Sequence, residues 1–210
     1  MLNLKYYRIA LVMFVLMFAG VTLGHAQTAD VYFGVGTAMD SSSGQQIDTF
    51  GDGVLYPTPK LTGAFGTFGA DFMFKPQIGF GGEDSIRFAQ GSYAGLNYRP
   101  TFYDFNVIFK PINSSKFIVP VFQAGLGGAK LSYYYNSSAC DAFAGCSSSS
   151  QYLESSSHFQ LHLAAGAQIY VKGGIFIRPQ VDVHYVHNFF QFGSDWVPEY
   201  TVAIGYTFGH

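Results

Sequence analysis

Arg178, Gln180, Asp182 and His184 recur at every second residue of one stretch, placing a base, an amide, an acid and an imidazole in a row. Side chains of these types can pair as ions or line a polar path through a protein. Ile177, Val181, Val183 and Tyr185 alternate with them, and Ile175 precedes them. Successive side chains of a strand point to opposite faces. One edge of this segment therefore carries full charges while the other suits hydrocarbon.

Other residues with chemical potential have blander readings. His158 and His162 sit four apart, a zinc spacing on a helix, but on a strand they are roughly 13 Å apart along the axis. Gly63, Gly66 and Gly69 make a GxxGxxG run with no Gly-Lys-Ser/Thr behind it, which speaks for close strand packing rather than phosphate binding. No metal, no cofactor and no catalytic residue is expected. Cys140 and Cys146 stand close together in a Ser-rich stretch and read as one disulfide in an exported chain. Such a small ring contributes roughly 2–3 kcal/mol and would shape a loop tip, as a recognition surface or as a protease-resistant cap.

The elements that must position these residues begin after an export leader. Lys5 and Arg8 precede an apolar stretch from Ile9 to Leu23, and Gly24-His25-Ala26 offers small residues where a signal peptidase reads. The apolar run, at about 15 residues, is short for a spanning helix, which needs roughly 20. Residues 1–26 are therefore read as a signal peptide and 27–210 as the mature domain. Only 11% of residues are charged and 18% are aromatic, whereas ordinary soluble domains are about 25% charged. Low charge, many aromatics and no later helical span leave a closed sheet, because in lipid every backbone group must be paired within the protein. With 13 acids against 11 bases and no basic patch, nucleic acid is not an expected partner.

Alternation recurs over about eight segments: 30–39, 61–74, 78–90, 98–109, 117–135, 158–172, 175–189 and 199–208. The sixth sets Phe159, Leu161, Leu163 and Ala165 against Gln160, His162 and Gly166. Gly81-Gly82 and Gly127-Gly128 predict bulges. The connections alternate in length. Lys75-Pro76-Gln77, Pro111 to Lys116 and Gly173-Gly174 are short, whereas 40–60 and 136–157 are long and rich in Ser, Gly and Asp. Membrane barrels have short periplasmic turns and longer extracellular loops, so both termini are expected in the periplasm. Tyr133, Tyr134, Tyr135, Trp196 and Tyr200 predict an aromatic girdle at the outer interface.

The predicted fold is all-β: an eight-stranded antiparallel transmembrane barrel filling 27–210. In layout it resembles the small eight-stranded bacterial outer-membrane barrels of the OmpA-transmembrane and OmpX type, over the whole mature length and without a C-terminal peptidoglycan-binding domain. The most specific piece is the last strand, Tyr200 to Phe208, ending Tyr206-Thr207-Phe208. The resemblance implies that Tyr206 and Phe208 form the signal read by the barrel-assembly machinery. It implies outer-membrane lipid and lipopolysaccharide as surroundings, and a monomer is expected.

Eight strands leave an interior just wide enough to be filled by side chains. The expected interior polar network is Asp71, Glu83, Arg87, Asp104, His162, Arg178, Asp182 and His184, together with Gln160, Gln168 and Gln180. Charges of both signs in a narrow, partly dry space should pair. The function expected is a structural and surface-interaction role, with loops 40–60 and 136–157 presented on a filled barrel. The alternatives are a narrow pore for ions or small solutes, and a lipid A-modifying enzyme built on Ser157-His158 and His187 near the outer rim. A soluble lipocalin-like barrel, apolar inside, is the structural rival.

Overall fold

The computed structural model describes residues 28–209 except 41–44, 49–50, 112–116, 142–144 and 190–191; the leader expected over 1–26 lies outside the described residues. Alternating segments become strands because one row of side chains can be buried while the other is not. The strands are β1 (Thr28–Ala38), β2 (Gln46–Ile47), β3 (Tyr56–Pro57), β4 (Phe65–Met73), β5 (Ile78–Arg87), β6 (Gly91–Tyr93), β7 (Leu96–Phe109), β8 (Ile118–Asp141), β9 (Gly145–Lys172), β10 (Ile175–Val186) and β11 (Trp196–Phe208). Eight of them pair antiparallel in the order β5-β4-β1-β11-β10-β9-β8-β7, and β5 pairs with β7 to close the ring. Closure removes the edges of the sheet. The short β6 runs alongside the outer part of β7, and β2 with β3 makes a separate hairpin inside the 40–60 connection.

The two rims differ. At one, β4–β5 and β9–β10 turn within four and two residues, with Gly173 at φ 58°, the positive angle that two-residue hairpins demand. We call this the turn end and the opposite rim the loop end. The wall itself is inverted relative to a soluble barrel. Phe33, Phe68, Phe80, Leu163, Val181 and Ile204 face outward and exposed, as does Phe105 at 74% exposure. Asp71, Asp104, Gln160, His162, Arg178 and Asp182 face inward and are buried. This polarity overturns the lipocalin-like alternative, whose interior would be apolar. A continuous outward apolar face of this composition belongs in hydrocarbon.

Three sequence expectations are corrected by the register. Gly81-Gly82 and Gly127-Gly128 are not bulges, because pairing runs through both without a slip. They allow close approach instead: a Cβ on Gly127 would run into the carbonyl oxygen of Tyr103. The register of the β8–β9 pair shifts elsewhere, between Tyr133 and Tyr134. The 136–157 connection is no loop. β8 and β9 continue through it as a paired hairpin to Asp141 and Gly145, whereas pairing between β7 and β8 stops at Asn97 and Tyr134. Seven further residues carry the hairpin roughly 23 Å beyond that point at about 3.3 Å per residue. Tyr133, expected in the outer girdle, packs inward, while Tyr135, Trp196 and Tyr200 are exposed.

Candidate functional site: the polar lumen and its cap

The lumen is organised in tiers from the turn end upward. Lowest is an ion pair between Lys110 Nζ and Asp30 Oδ2 at 2.5 Å, with Gln168 donating to the same oxygen at 2.7 Å. Tyr170 closes this tier by bonding Thr207 at 3.0 Å. Met73, Ile108 and Val121 form a small apolar patch beside it.

Above lies Arg178, 1% exposed. Its Nη1 donates to Asp71 Oδ2 at 2.8 Å, and its guanidinium sits 4.4 Å from the centre of the Tyr32 ring. Such a flat, delocalised cation can be buried where an ammonium would not fit. The Tyr32 hydroxyl donates to Glu83 Oε2 at 2.7 Å, and a Cβ on Gly69 would run into the phenol ring and force it to move. Gln180 then bridges tiers, donating to both Glu83 oxygens and to Asp182 Oδ1 at 2.5 Å.

The next tier gathers histidines. His162 Nε2 lies 3.1 Å from Asp182 Oδ1, and its Nδ1 lies 2.8 Å from Asn106 Oδ1. His184 Nε2 lies 3.4 Å from Glu199 Oε2, and Ser85 donates to the other Glu199 oxygen. Asp104 stands between the rings, its Oδ1 accepting from Gln160 at 2.6 Å and its Oδ2 3.9 and 3.8 Å from the two Nδ1 atoms. The imidazoles stack with centroids 4.9 Å apart, and Phe102 covers His184 at 4.8 Å.

Phe102 begins the top tier, which is apolar. Phe65, Leu61, Leu131, Tyr98, Val186, Phe189, Phe192 and Val197 fill the loop end of the lumen. Two of these, Phe189 and Phe192, come from the connection between β10 and β11 and stack at 4.5 Å. Leu61 comes from the connection before β4, its N–H held by Asp40 at 2.6 Å. A polar column is thus covered by a hydrophobic plug that the connecting segments supply.

Of the expected network, the structure brings Asp71, Glu83, Asp104, His162, Arg178, Asp182 and His184 into one buried column. Arg87 stands apart: it is half-buried near the loop end, donating to the Lys60 carbonyl at 3.1 Å and facing the Tyr98 ring. Its position at the end of β5 places it above the lumen, so it fastens a connection. Sequence reasoning missed Asp30, Lys110 and Glu199, although Asp30 shares its face with Tyr32 and Glu199 with Thr201. Cys140 and Cys146 fall opposite one another in the β8–β9 register. Tyr206 and Phe208 face outward near the turn end, their rings 4.8 Å apart.

Among the lipid A enzyme candidates, the serine that meets His158 is Ser156, with its Oγ 3.3 Å from Nε2, and not Ser157. His158 Nδ1 faces the His187 carbonyl at 3.3 Å, and the ring abuts Phe189 of the plug.

A closed eight-stranded ring, apolar outside and polar inside, defines the fold of a small outer-membrane β-barrel. The solved structures that this chain is similar to bear that out. OprG from Pseudomonas aeruginosa superposes with a TM-score of 0.55 at 11% identity, over 87% of this chain and 96% of that one. Neisserial surface protein A gives 0.53 at 11% identity, over 87% and 97%. Ail, the attachment invasion locus protein of Yersinia pestis in complex with the heparin analogue sucrose octasulfate, gives 0.52 at 15%, over 87% and 99%. Identity this low speaks for fold alone. No protein-family profile and no curated protein matches the sequence.

Proposed function

We propose that this protein is an integral outer-membrane barrel with a closed lumen, whose work is done at the cell surface by the β8–β9 hairpin and the 40–60 connection. The observation that carries this reading is the apolar plug above the polar column: water has no continuous polar lining to follow past Phe65, Phe102, Phe189 and Phe192. The charges beneath it pair across the barrel and fix its shape. The mature chain begins at Gln27 after signal cleavage, is delivered by the barrel-assembly machinery through its Tyr206 and Phe208 strand, and sits as a monomer in lipid and lipopolysaccharide. It is not an enzyme in this reading, because the Ser156–His158 contact packs on Phe189 inside the rim, while lipid substrates surround the outside.

Conductance in a planar bilayer tests the central claim. Protein shown to be folded by heat-modifiable gel mobility should stay silent. Stable current steps that change size with Asp182→Ala would replace this reading with the narrow pore.

The Cys140–Cys146 disulfide that their facing positions support belongs to the hairpin tip. Cys146→Ser should leave the urea midpoint of the barrel unchanged and hasten proteolysis between residues 135 and 151. A shifted midpoint would mean that the tip supports the barrel. Without reductant neither cysteine should take a thiol label, and labelling of both would remove the disulfide.

A further inference from the structure

Among the described residues six carboxylates are buried, Asp30, Asp71, Glu83, Asp104, Asp182 and Glu199, against two buried permanent cations, Lys110 and Arg178. Both cations are engaged toward the turn end, with Asp30 and with Asp71. Among the described residues Asp104, Asp182 and Glu199 have only His162 and His184 for ion partners. Three carboxylates thus share two imidazoles in a space that Phe102 covers from above, and a buried carboxylate is costly unless it is well partnered.

We propose that Asp104, His162 and His184 form a binding site for a divalent transition-metal ion of the zinc type inside the barrel. One ligand atom from each of the three buried residues lies within 4.8 Å of the other two. The two Nδ1 atoms converge on Asp104 Oδ2 at 3.9 and 3.8 Å. Donors around a tetrahedral zinc at about 2.0–2.1 Å lie about 3.4 Å apart, so these spacings must close by about half an ångström. The widest of the set, within 4.8 Å, must close by roughly an ångström more than that. The rings must also turn out of their near-parallel stack to point both lone pairs at one ion.

A second observation is independent of the ligand triad. Each histidine presents its other nitrogen to a carboxylate, His162 Nε2 to Asp182 at 3.1 Å and His184 Nε2 to Glu199 at 3.4 Å. Metal-bound histidines characteristically have that carboxylate behind them, since it fixes the tautomer and raises ligand basicity. Both ring nitrogens of His184 are buried without a hydrogen bond, Nε2 standing 3.4 Å from Glu199 Oε2, and a metal bond would remove that cost at Nδ1. His162 Nδ1 faces Asn106 Oδ1 at 2.8 Å, so metal binding has to displace that hydrogen bond, which frees the amide oxygen. Two imidazoles with one carboxylate suit zinc and its neighbours rather than calcium or magnesium, which take all-oxygen sets. The site is covered by the plug, so the ion enters as the barrel closes, and the proposal stands whether or not the lumen conducts.

The probe is Zn2+ alone. Mature protein refolded in detergent with Zn2+, then passed over excess weak chelator, should retain one zinc per barrel and unfold at a higher temperature than protein refolded with the chelator present. Co2+ in its place should give the visible absorption of a low-coordinate nitrogen–oxygen site. His162→Gln and His184→Gln should abolish retention, and Glu199→Gln should weaken it about 10–100-fold. His158→Gln and His187→Gln, outside the cluster, should retain zinc fully. Folded wild-type protein that holds no zinc and gives no cobalt spectrum overturns the site, as does equal retention by the His184 variant. The wild-type measurements decide the matter even if a histidine variant does not fold.

Discussion

Arg178→Met should destabilise the barrel by about 3–5 kcal/mol, the cost of leaving a buried ion without its partner. The substitution keeps the side-chain volume but removes the cation from Asp71, and both residues are 1% exposed at the side chain. Arg178→Lys should recover little, because an ammonium cannot lie flat on the Tyr32 ring, 4.4 Å away, while also reaching Asp71. The double variant Arg178→Met with Asp71→Leu should recover most of the loss, since a buried pair replaced by apolar residues of similar size is often neutral. Urea unfolding in lipid vesicles, followed by the fluorescence of Trp196, the chain's single tryptophan, measures all three. A loss below about 1 kcal/mol in Arg178→Met, well under the buried-pair range, would mean that water reaches Asp71. The case for a closed lumen would then fail with it.

How much of this was legible in the chain follows from which faces are buried. In β10 the alternation is plain because one row faces lipid and the other faces partners of opposite charge. The β8–β9 hairpin beyond Tyr134 is illegible for the complementary reason: over residues 135–138 and 146–152 neither face is buried, so nothing selects apolar residues at every second position. Ser137 opposite Ser149 and Ser138 opposite Ser148 make a strand ladder that reads as a loop. Inward positions followed from strand parity, but pairing across the lumen did not, because it depends on how the strands stagger around the ring. Lys110 meets Asp30 across 80 residues of chain, and no local pattern announces it. The histidine tier shows the same limit. Along β9, His158 and His162 are too far apart to act together, whereas the ring sets His162 directly opposite His184. The plug was equally hidden, since Leu61, Phe189 and Phe192 come from connections with no periodicity to read.

Phe105→Arg should cost about 2–4 kcal/mol if the outward face meets hydrocarbon near its midplane. Among the described residues Phe105 is the most exposed of the large apolar ones, and it sits on β7 between Tyr103 toward the loop end and Phe109 toward the turn end. In water an exposed phenylalanine replaced by arginine costs almost nothing, since surface changes away from special features usually stay within about 0.5 kcal/mol. The same substitution therefore separates two solvents. Its neighbour Asn106 points the other way, donating to Gln123 at 3.2 Å, so one step along the strand crosses from lipid to the polar column. Phe105→Leu should be close to neutral in vesicles, and Tyr135→Arg, past the end of the β7–β8 pairing, should cost less than Phe105→Arg because the penalty falls toward about 0–1 kcal/mol near the interfaces. A gradient of that kind measured by urea unfolding fixes the height of the barrel in the bilayer. A flat response at all positions would mean that the apolar wall is covered by something other than lipid.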